Sequence, residues 1–217
     1  NTIVAFNRAI VEATKDLVCA YKPNAAFYEA HGAEGIAALH RTIADIHAIA
    51  PDIPVILDAK RADIGNTNAG YVKMAFDYLR ADAITVHPYL GAEALQPFLE
   101  RADKGVFVLC RTSNPGAGEF QDVPVATDWA TDGTIPLYQY VALKVAKDWN
   151  ERGNCGVVVG ATYPDELREI RKIVCDMPIL NPGIGAQGGD LEKNVKAGMD
   201  SRGRGMIINS ARGIIFA

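Results

Sequence analysis

Short apolar segments alternate with helical segments along the chain, and this alternation constrains the fold more than any other feature. Seven segments are predicted to be strands because their apolar residues are continuous: 17–21, 54–60, 83–87, 105–110, 156–159, 178–181 and 205–209. Apolar periodicity predicts helices at 1–16, 33–50, 67–79, 91–100, 135–151, 164–174 and 191–197. Apolar strands separated by helices predict a parallel sheet that is covered by helices.

The number of strands leaves two architectures open. A TIM (β/α)8 barrel has eight strands and typically about 250 residues, whereas this chain has 217 residues. We predict a single barrel domain over residues 1–217, with its first strand before Asn1 and its last helix beyond Ala217. An open doubly wound sheet is the alternative, because it accommodates seven strands without an additional one.

Composition argues against several classes of function. The net charge of -4 gives no basic surface of the kind that binds nucleic acid. No apolar run is long enough to span a membrane and no signal-peptide pattern is present, so we expect a cytoplasmic protein. The four cysteines form no CxxC pair and have no histidine at ligand spacing, which indicates reduced thiols and not a zinc site.

Charged residues are concentrated at the end of the second predicted strand. The apolar run 55–57 is followed by Asp58, Lys60 and Asp63. Residues two apart in a strand point the same way, so we expect Asp58 and Lys60 to pair. Lys22 ends the preceding predicted strand, and a parallel neighbour would bring it beside Asp58. Charges this close are costly to bury unless they satisfy one another, which favours a reacting centre over a solvated loop.

The expected row of alternating charges, Lys22, Asp58, Lys60 and Asp63, limits what Lys60 can do. A lysine that forms a Schiff base must be neutral, whereas carboxylates on either side favour the ammonium form. Lys60 is therefore predicted to be a proton donor and not a nucleophile. A donor without a neighbouring metal or cofactor suits a reaction that makes a carbanion and then protonates it.

Three further loops follow predicted strands, and in a barrel they would all lie at its C-terminal mouth. The glycine-rich stretch 181–190 offers backbone N–H groups to an anion, and Gln187 could add a side-chain amide. Arg212 follows the last strand and offers a guanidinium fork to a phosphate. In loop 111–120, Ser113 could hydrogen-bond a polar heterocycle, and the length of this loop suits a lid as well as a plain surface turn.

Five motifs occur in order along nearly the whole chain: AYKPN, DAKRADIGNT, TSNPGA, NPGIGAQGGD and INSARGI. Together they resemble the orotidine 5'-monophosphate decarboxylase family, and KPNAAFYE, VVVGATYP and the SARGI ending are most similar to its bacterial type 2 branch. The resemblance implies a homodimeric barrel of the ribulose-phosphate-binding type. It also implies the cofactor-free and metal-free decarboxylation of orotidine 5'-phosphate to UMP in pyrimidine biosynthesis.

The resemblance assigns roles to the charged residues. Lys60 would protonate C6 of the pyrimidine, Asp58 would lie against the departing carboxylate, and Lys22 would complete the charged row. Asp63 and Thr67 would cross the dimer interface into the partner's site.

The resemblance also assigns substrate contacts. Ser113 would contact the pyrimidine edge, Pro182 would pack on the ring, and Gln187 and Arg212 would hold the phosphate. Ala62 departs from the type 2 pattern, in which we expect glycine, and a methyl group is tolerable there if φ is negative. The family's ribose-binding aspartate at the end of its first strand has no counterpart in the sequence.

Two other functions remain as alternatives. A metal-dependent decarboxylase or aldolase of the same barrel superfamily would act on sugar phosphates and would need magnesium for an enediolate. A barrel that binds a nucleotide without chemistry would have little use for the charged row.

Overall fold

Two compact units make up the chain, Asn1–Val106 and Phe107–Ala217. The computed structural model describes residues 2–130, 133–185 and 188–216. None of the helices in these ranges combines the length and the apolarity needed to cross a lipid bilayer.

The first unit places its helices around a small parallel sheet. In chain order its elements are α1 Thr2–Thr14, α2 Ala25–Glu29, α3 Gly32–Ile49, β1 Ile56–Arg61, α4 Gly65–Val72, β2 Ala83–Val86 and α5 Gly91–Leu99. A π-helical segment, Lys73–Tyr78, continues α4. Strands β1 and β2 are parallel, with Leu57 opposite Ile84, and both of these side chains are fully buried. The apolar run before the charged residues is thus the core of this unit.

The second unit has four neighbouring strands in the order β3-β6-β7-β8. Its elements are β3 Gly105–Arg111, which begins in the first unit, α6 Gly118–Gln121, β4 Pro124–Ala126, β5 Thr134–Pro136, α7 Leu137–Lys144, β6 Cys155–Val159, α8 Pro164–Val174, β7 Ile179–Pro182, α9 Leu191–Gly198, β8 Met206–Asn209 and α10 Arg212–Ile215. A 3-10 turn, Pro115–Ala117, precedes α6, and a π-helical segment, Val145–Trp149, continues α7. Strand β7 is parallel to both β6 and β8.

Helix α8 shows how local sequence sets the bounds of an element. Pro164 occupies its first turn, where the missing N–H costs nothing. Acidic residues follow in the first turn and basic residues occupy the last turn, which is the arrangement that the helix dipole favours. Leu167, Ile170 and Val174 form its buried face. The predicted range 164–174 agrees with the structure.

Helices α2 and α10 were not predicted, and β5 overlaps the start of the helix predicted at 135–151. Two longer segments also differ from the prediction. The strand predicted at 17–21 is not a regular strand; two isolated parallel bridges, Tyr21 to Val55 and Asn24 to Asp58, connect this part of the chain to β1. The polar stretch 113–134 was not predicted to contain regular structure, yet it includes α6 and β4, and β4 forms an antiparallel ladder with β5. Both strands of that ladder have three residues, too few to show an alternating pattern.

Candidate active site

The charged residues of the first unit meet where β1 lies beside the chain from Tyr21 to Asn24. The N–H of Ile56 donates to the carbonyl of Tyr21, and the N–H of Asp58 donates to the carbonyl of Pro23. These two hydrogen bonds set the parallel register that brings Lys22 next to Asp58. The predicted neighbourhood of Lys22 and Asp58 is therefore present, although isolated bridges form it instead of a regular strand.

Asp58 lies between two lysines. Lys22 Nζ donates to Asp58 Oδ2 at 2.6 Å, and Lys60 Nζ donates to Asp58 Oδ1 at 2.6 Å. Burial raises the pKa of Asp58, but the charge of Lys22 and the hydrogen bonds from Lys22 and Lys60 outweigh it and hold the pKa below its ordinary value. The Lys22 side chain is 10% exposed and that of Lys60 is 48% exposed. Lys60 is thus anchored at Asp58 while it remains open to a ligand or to water.

The backbone at Lys60 has an unusual conformation. Its φ is 48°, in the left-handed region that residues with a side chain rarely occupy. The pairing of β1 with β2 is irregular here, because Leu57 is opposite Ile84 whereas Arg61 is opposite Val86. Four steps along β1 therefore correspond to two steps along β2. Irregularities of this kind redirect side chains near active sites, and strain at such a position suggests function.

A residue that the sequence did not indicate completes this cluster. Thr85, which is 1% exposed, lies on β2 opposite the irregular part of β1. Its Oγ1 accepts a hydrogen bond from the N–H of Lys60 at 2.9 Å and donates to Asp58 Oδ1 at 2.9 Å. The signal available in the sequence was a polar residue within the apolar run AITV.

The predicted row of charges ends at Lys60 within the chain. No ion pair of Asp63 is present in the described residues, and its Oδ1 accepts the N–H of Ile64 at 2.7 Å. The buried side chain of Asn68 accepts the N–H of Asp63 and donates to its carbonyl oxygen, which fixes this loop. The described residues thus show no pairing of Asp63 with Lys60 within one chain, and the role predicted for Asp63 stays a prediction. Thr67 is exposed in the first turns of α4. Ala62 has a negative φ, so its methyl group is tolerated as expected.

Loops of the second unit follow the carboxyl ends of neighbouring strands. Pro182 ends β7, and its carbonyl accepts the N–H of Ala161, which follows β6. Ser113 follows β3 and lies against Gly160, where a Cβ atom would come within 2.7 Å of the Ser113 backbone nitrogen. Glycine at position 160 thus permits a close approach of two loops that a larger residue would separate.

The glycine-rich loop turns sharply after β7. Gly183, Gly185 and Gly188 all have positive φ, and the loop leads to α9, whose N-terminus is capped by the Asp190 side chain. Gln187, predicted to hold phosphate, lies outside the described residues.

Arg212 begins α10 and is exposed, and the described residues offer its guanidinium no hydrogen-bond or ion-pair partner. Its fork is thus available to an anionic ligand.

Comparison with known proteins assigns this chain to a family. Residues 4–217 match the model of the "Orotidine 5'-phosphate decarboxylase / HUMPS family". An orotidine 5'-phosphate decarboxylase of Thermomicrobium roseum is 56% identical over 216 residues, which are 99% of this chain and 74% of the relative. The structure of Leishmania donovani OMP decarboxylase has a TM-score of 0.90 and 44% identity, and the match covers 99% of this chain and 80% of that one. That of Leishmania donovani UMP synthase has a TM-score of 0.92 and 46% identity, but the chain spans only 46% of that protein.

These similarities decide between the two predicted architectures and test the predicted family. The TIM barrel is confirmed, because orotidine 5'-phosphate decarboxylases of known structure have this fold. The family predicted from the five motifs is also confirmed. The assignment of the chain to the type 2 branch stays a prediction. The relatives give no support to the metal-dependent sugar-phosphate enzyme.

Proposed function

Since the chain belongs to the orotidine 5'-phosphate decarboxylase / HUMPS family, we propose that it is a carboxy-lyase that converts orotidine 5'-phosphate to UMP and CO2 without a cofactor. The observation that carries this proposal is the position of Asp58, which binds Lys22 with one carboxylate oxygen and Lys60 with the other. This cluster places an ammonium group beside a fixed negative charge, in an arrangement that suits the loss of a carboxylate.

The chemistry requires a charge partner for a carbanion and then a proton. When the bond between C6 and the carboxylate breaks, the electron pair stays on C6, and the Lys60 ammonium stabilises it. Lys60 then transfers a proton to C6 and becomes a neutral amine. Its half-exposed side chain can regain a proton from water. Asp58 lies against the departing carboxylate in this assignment, so repulsion between the two anions falls as CO2 leaves.

The nucleotide would be held by the loops of the second unit. Arg212 and Gln187 would bind the phosphate, Pro182 would pack on the pyrimidine, and Ser113 would hydrogen-bond its edge. The exposed guanidinium of Arg212 and the glycine-rich turn before α9 support this assignment. Binding energy from the phosphate, which does not react, can order the residues that do.

The decisive experiment is a spectrophotometric decarboxylation assay with orotidine 5'-phosphate in the presence of EDTA. The wild-type chain should turn over, Lys60→Ala should lose at least about 10³-fold in kcat while it still binds UMP, and Arg212→Ala should mainly raise KM. Lys172→Ala, on the exposed side of α8, is the control and should behave as the wild type.

Three results would contradict the proposal. Normal turnover by Lys60→Ala would remove the role of this lysine. Activity that EDTA abolishes, together with turnover of a keto-sugar phosphate, would favour the metal-dependent alternative. Tight UMP binding without decarboxylation by the wild-type chain would favour the binding protein.

We further propose a homodimer in which Asp63 and Thr67 complete the partner's site. Asp63 makes no ion pair in the described part of its own chain. The next residue, Ile64, is 63% exposed, and Tyr89, which follows β2, is 87% exposed. Exposed apolar side chains of this kind suit an interface.

Mixing inactive variants tests this shared site. Lys60→Ala and Asp63→Ala are mixed and allowed to exchange subunits; a shared site would then restore about a quarter of the wild-type activity, because half of the dimers are hybrids with one intact site. If Asp63 serves only its own chain, the mixture stays inactive.

A cytoplasmic location is the last part of the proposal. All four cysteines are free thiols, which is usual in a reducing compartment. Fractionation of the source cells with an antibody against this chain would place it directly.

A further inference from the structure

Thr85 connects the two residues on which the proposed chemistry depends. Its hydroxyl oxygen is 2.9 Å from the Lys60 nitrogen and 2.9 Å from Asp58 Oδ1. The residue is almost completely buried in the first unit, so water does not replace these contacts. Although Thr85 lies far from Asp58 and Lys60 in sequence, it contacts the backbone of one and the side chain of the other.

The direction of these hydrogen bonds is fixed by chemistry. A backbone N–H can only donate, so Thr85 Oγ1 must accept from Lys60. Its single proton is then free to point at Asp58 Oδ1, and an ionised carboxylate accepts it more strongly than a protonated carboxyl group does. The hydroxyl thus favours the ionised form of Asp58, which is the form that binds Lys22 and Lys60.

The same hydroxyl stabilises the left-handed backbone of Lys60. The register of β1 with β2 shifts between Leu57 and Arg61, and within this shift the N–H of Lys60 donates to Thr85 Oγ1. A non-glycine residue persists at φ 48° only where its surroundings hold it there. The direction in which the Lys60 side chain leaves the strand follows from that conformation.

We propose that Thr85 is a positioning residue of the decarboxylase site, whose hydroxyl sets the orientation of the Lys60 ammonium and of the Asp58 carboxylate. Thr85 need not touch the substrate. This inference rests on the proposed function, since it concerns the residues that would carry out that reaction.

The test compares Thr85→Val, Thr85→Ser and the wild type. Valine keeps the shape of threonine and removes the hydroxyl, whereas serine keeps the hydroxyl. Thr85→Val should lower kcat on the order of 10- to 100-fold, because a small displacement of a reacting group is enough to cause such a loss. The Kd for UMP should stay within about threefold, because the phosphate contacts lie elsewhere. Thr85→Ser should restore most of the kcat.

A pH profile separates positioning from general damage. Without the donated hydrogen bond Asp58 should accept a proton more readily, so the acidic limb of kcat for Thr85→Val should move to higher pH. The titratable groups that contact Asp58 in the described residues are Lys22 and Lys60, and both are unchanged in this variant.

Thr42→Val is the matched control. Thr42 is also a buried threonine of the first unit, and its hydroxyl accepts from the Asn7 side chain, remote from the charged residues. It should lose stability without losing kcat. If Thr85→Val does not fold, Thr85→Cys, which has nearly the same size and a much weaker donor, should show a smaller loss of kcat in the same direction.

The outcomes are distinct. Unchanged kcat in a folded Thr85→Val variant would overturn the inference, as would equal losses of kcat in Thr85→Val and Thr42→Val. A failure of serine to restore kcat would overturn it as well. If the wild-type chain itself does not decarboxylate orotidine 5'-phosphate, the proposed function is wrong. The Thr85 inference is then wrong with it, even if all variants bind UMP.

Discussion

Replacing Asp58 with asparagine should destabilise the protein strongly, because Asp58 neutralises two lysines at once. Its side chain is 9% exposed, and that of Lys22 is 10% exposed. Asparagine keeps the shape and can still accept the hydrogen bond from Thr85, but it removes the charge. Lys22 would then be a buried cation without a counterion in direct contact.

The magnitude follows from the burial of each partner. Removing one member of a buried ion pair typically costs 3–5 kcal/mol. We expect the lower end, about 3 kcal/mol, since the half-exposed Lys60 keeps part of its hydration. For a chain of this size that corresponds to a fall in Tm of about 6–12 °C.

The assay is urea and thermal unfolding, followed by circular dichroism at pH 7. Glu12→Gln is the control, because its pair with Arg8 has side chains more than half exposed. That variant should change the free energy of unfolding by less than about 0.5 kcal/mol.

The pH dependence of the difference gives a second check. The pKa of Asp58 is below its ordinary value in the folded protein, because the lysines outweigh the effect of burial. The stabilisation by its charge is therefore complete above the unfolded-state pKa of about 3.9 and disappears as pH falls through the folded-state pKa. The wild type and Asp58→Asn should thus converge in acid. Equal stability at pH 7, or a gap that is just as large in acid, would refute the reasoning.

Two further predictions concern the second unit and the thiols. Arg171→Met should lower the free energy of unfolding by about 3–5 kcal/mol in urea titrations, because the buried guanidinium donates to four backbone carbonyls, including that of Gly205 at 3.0 Å; a change below about 1 kcal/mol would contradict this. In the native protein a thiol reagent at pH 8 should modify the exposed Cys19 and Cys175 rapidly and leave Cys155 and Cys110 unmodified until urea is added. Burial raises the pKa of Cys155 to about 11 and that of Cys110 still further, so rapid modification of all four cysteines without urea would show that these two are not buried.

Much of the architecture could be predicted because it is encoded locally. The apolar runs identified β1, β2, β3, β6, β7 and β8 within a few residues, and apolar periodicity predicted the bounds of α8. The pairing of Asp58 with Lys60 was also predicted, from the alternation of side chains in a regular strand. That pairing is present, although β1 is irregular at this point and Lys60 has a left-handed backbone.

The sequence by itself therefore determined the order of these six strands and of the main helices between them, the family motifs and the residues at the end of β1, because periodicity and residue type act over a few positions. The tertiary structure alone decided that Thr85 joins Lys60 to Asp58, and that Asp63 Oδ1 accepts the N–H of Ile64. These contacts depend on the register between β1 and β2 and on the hydrogen bonds of Asn68. That register is fixed when the two strands pack together, since Lys60 and Thr85 are 25 positions apart in the chain and no local interaction brings them together.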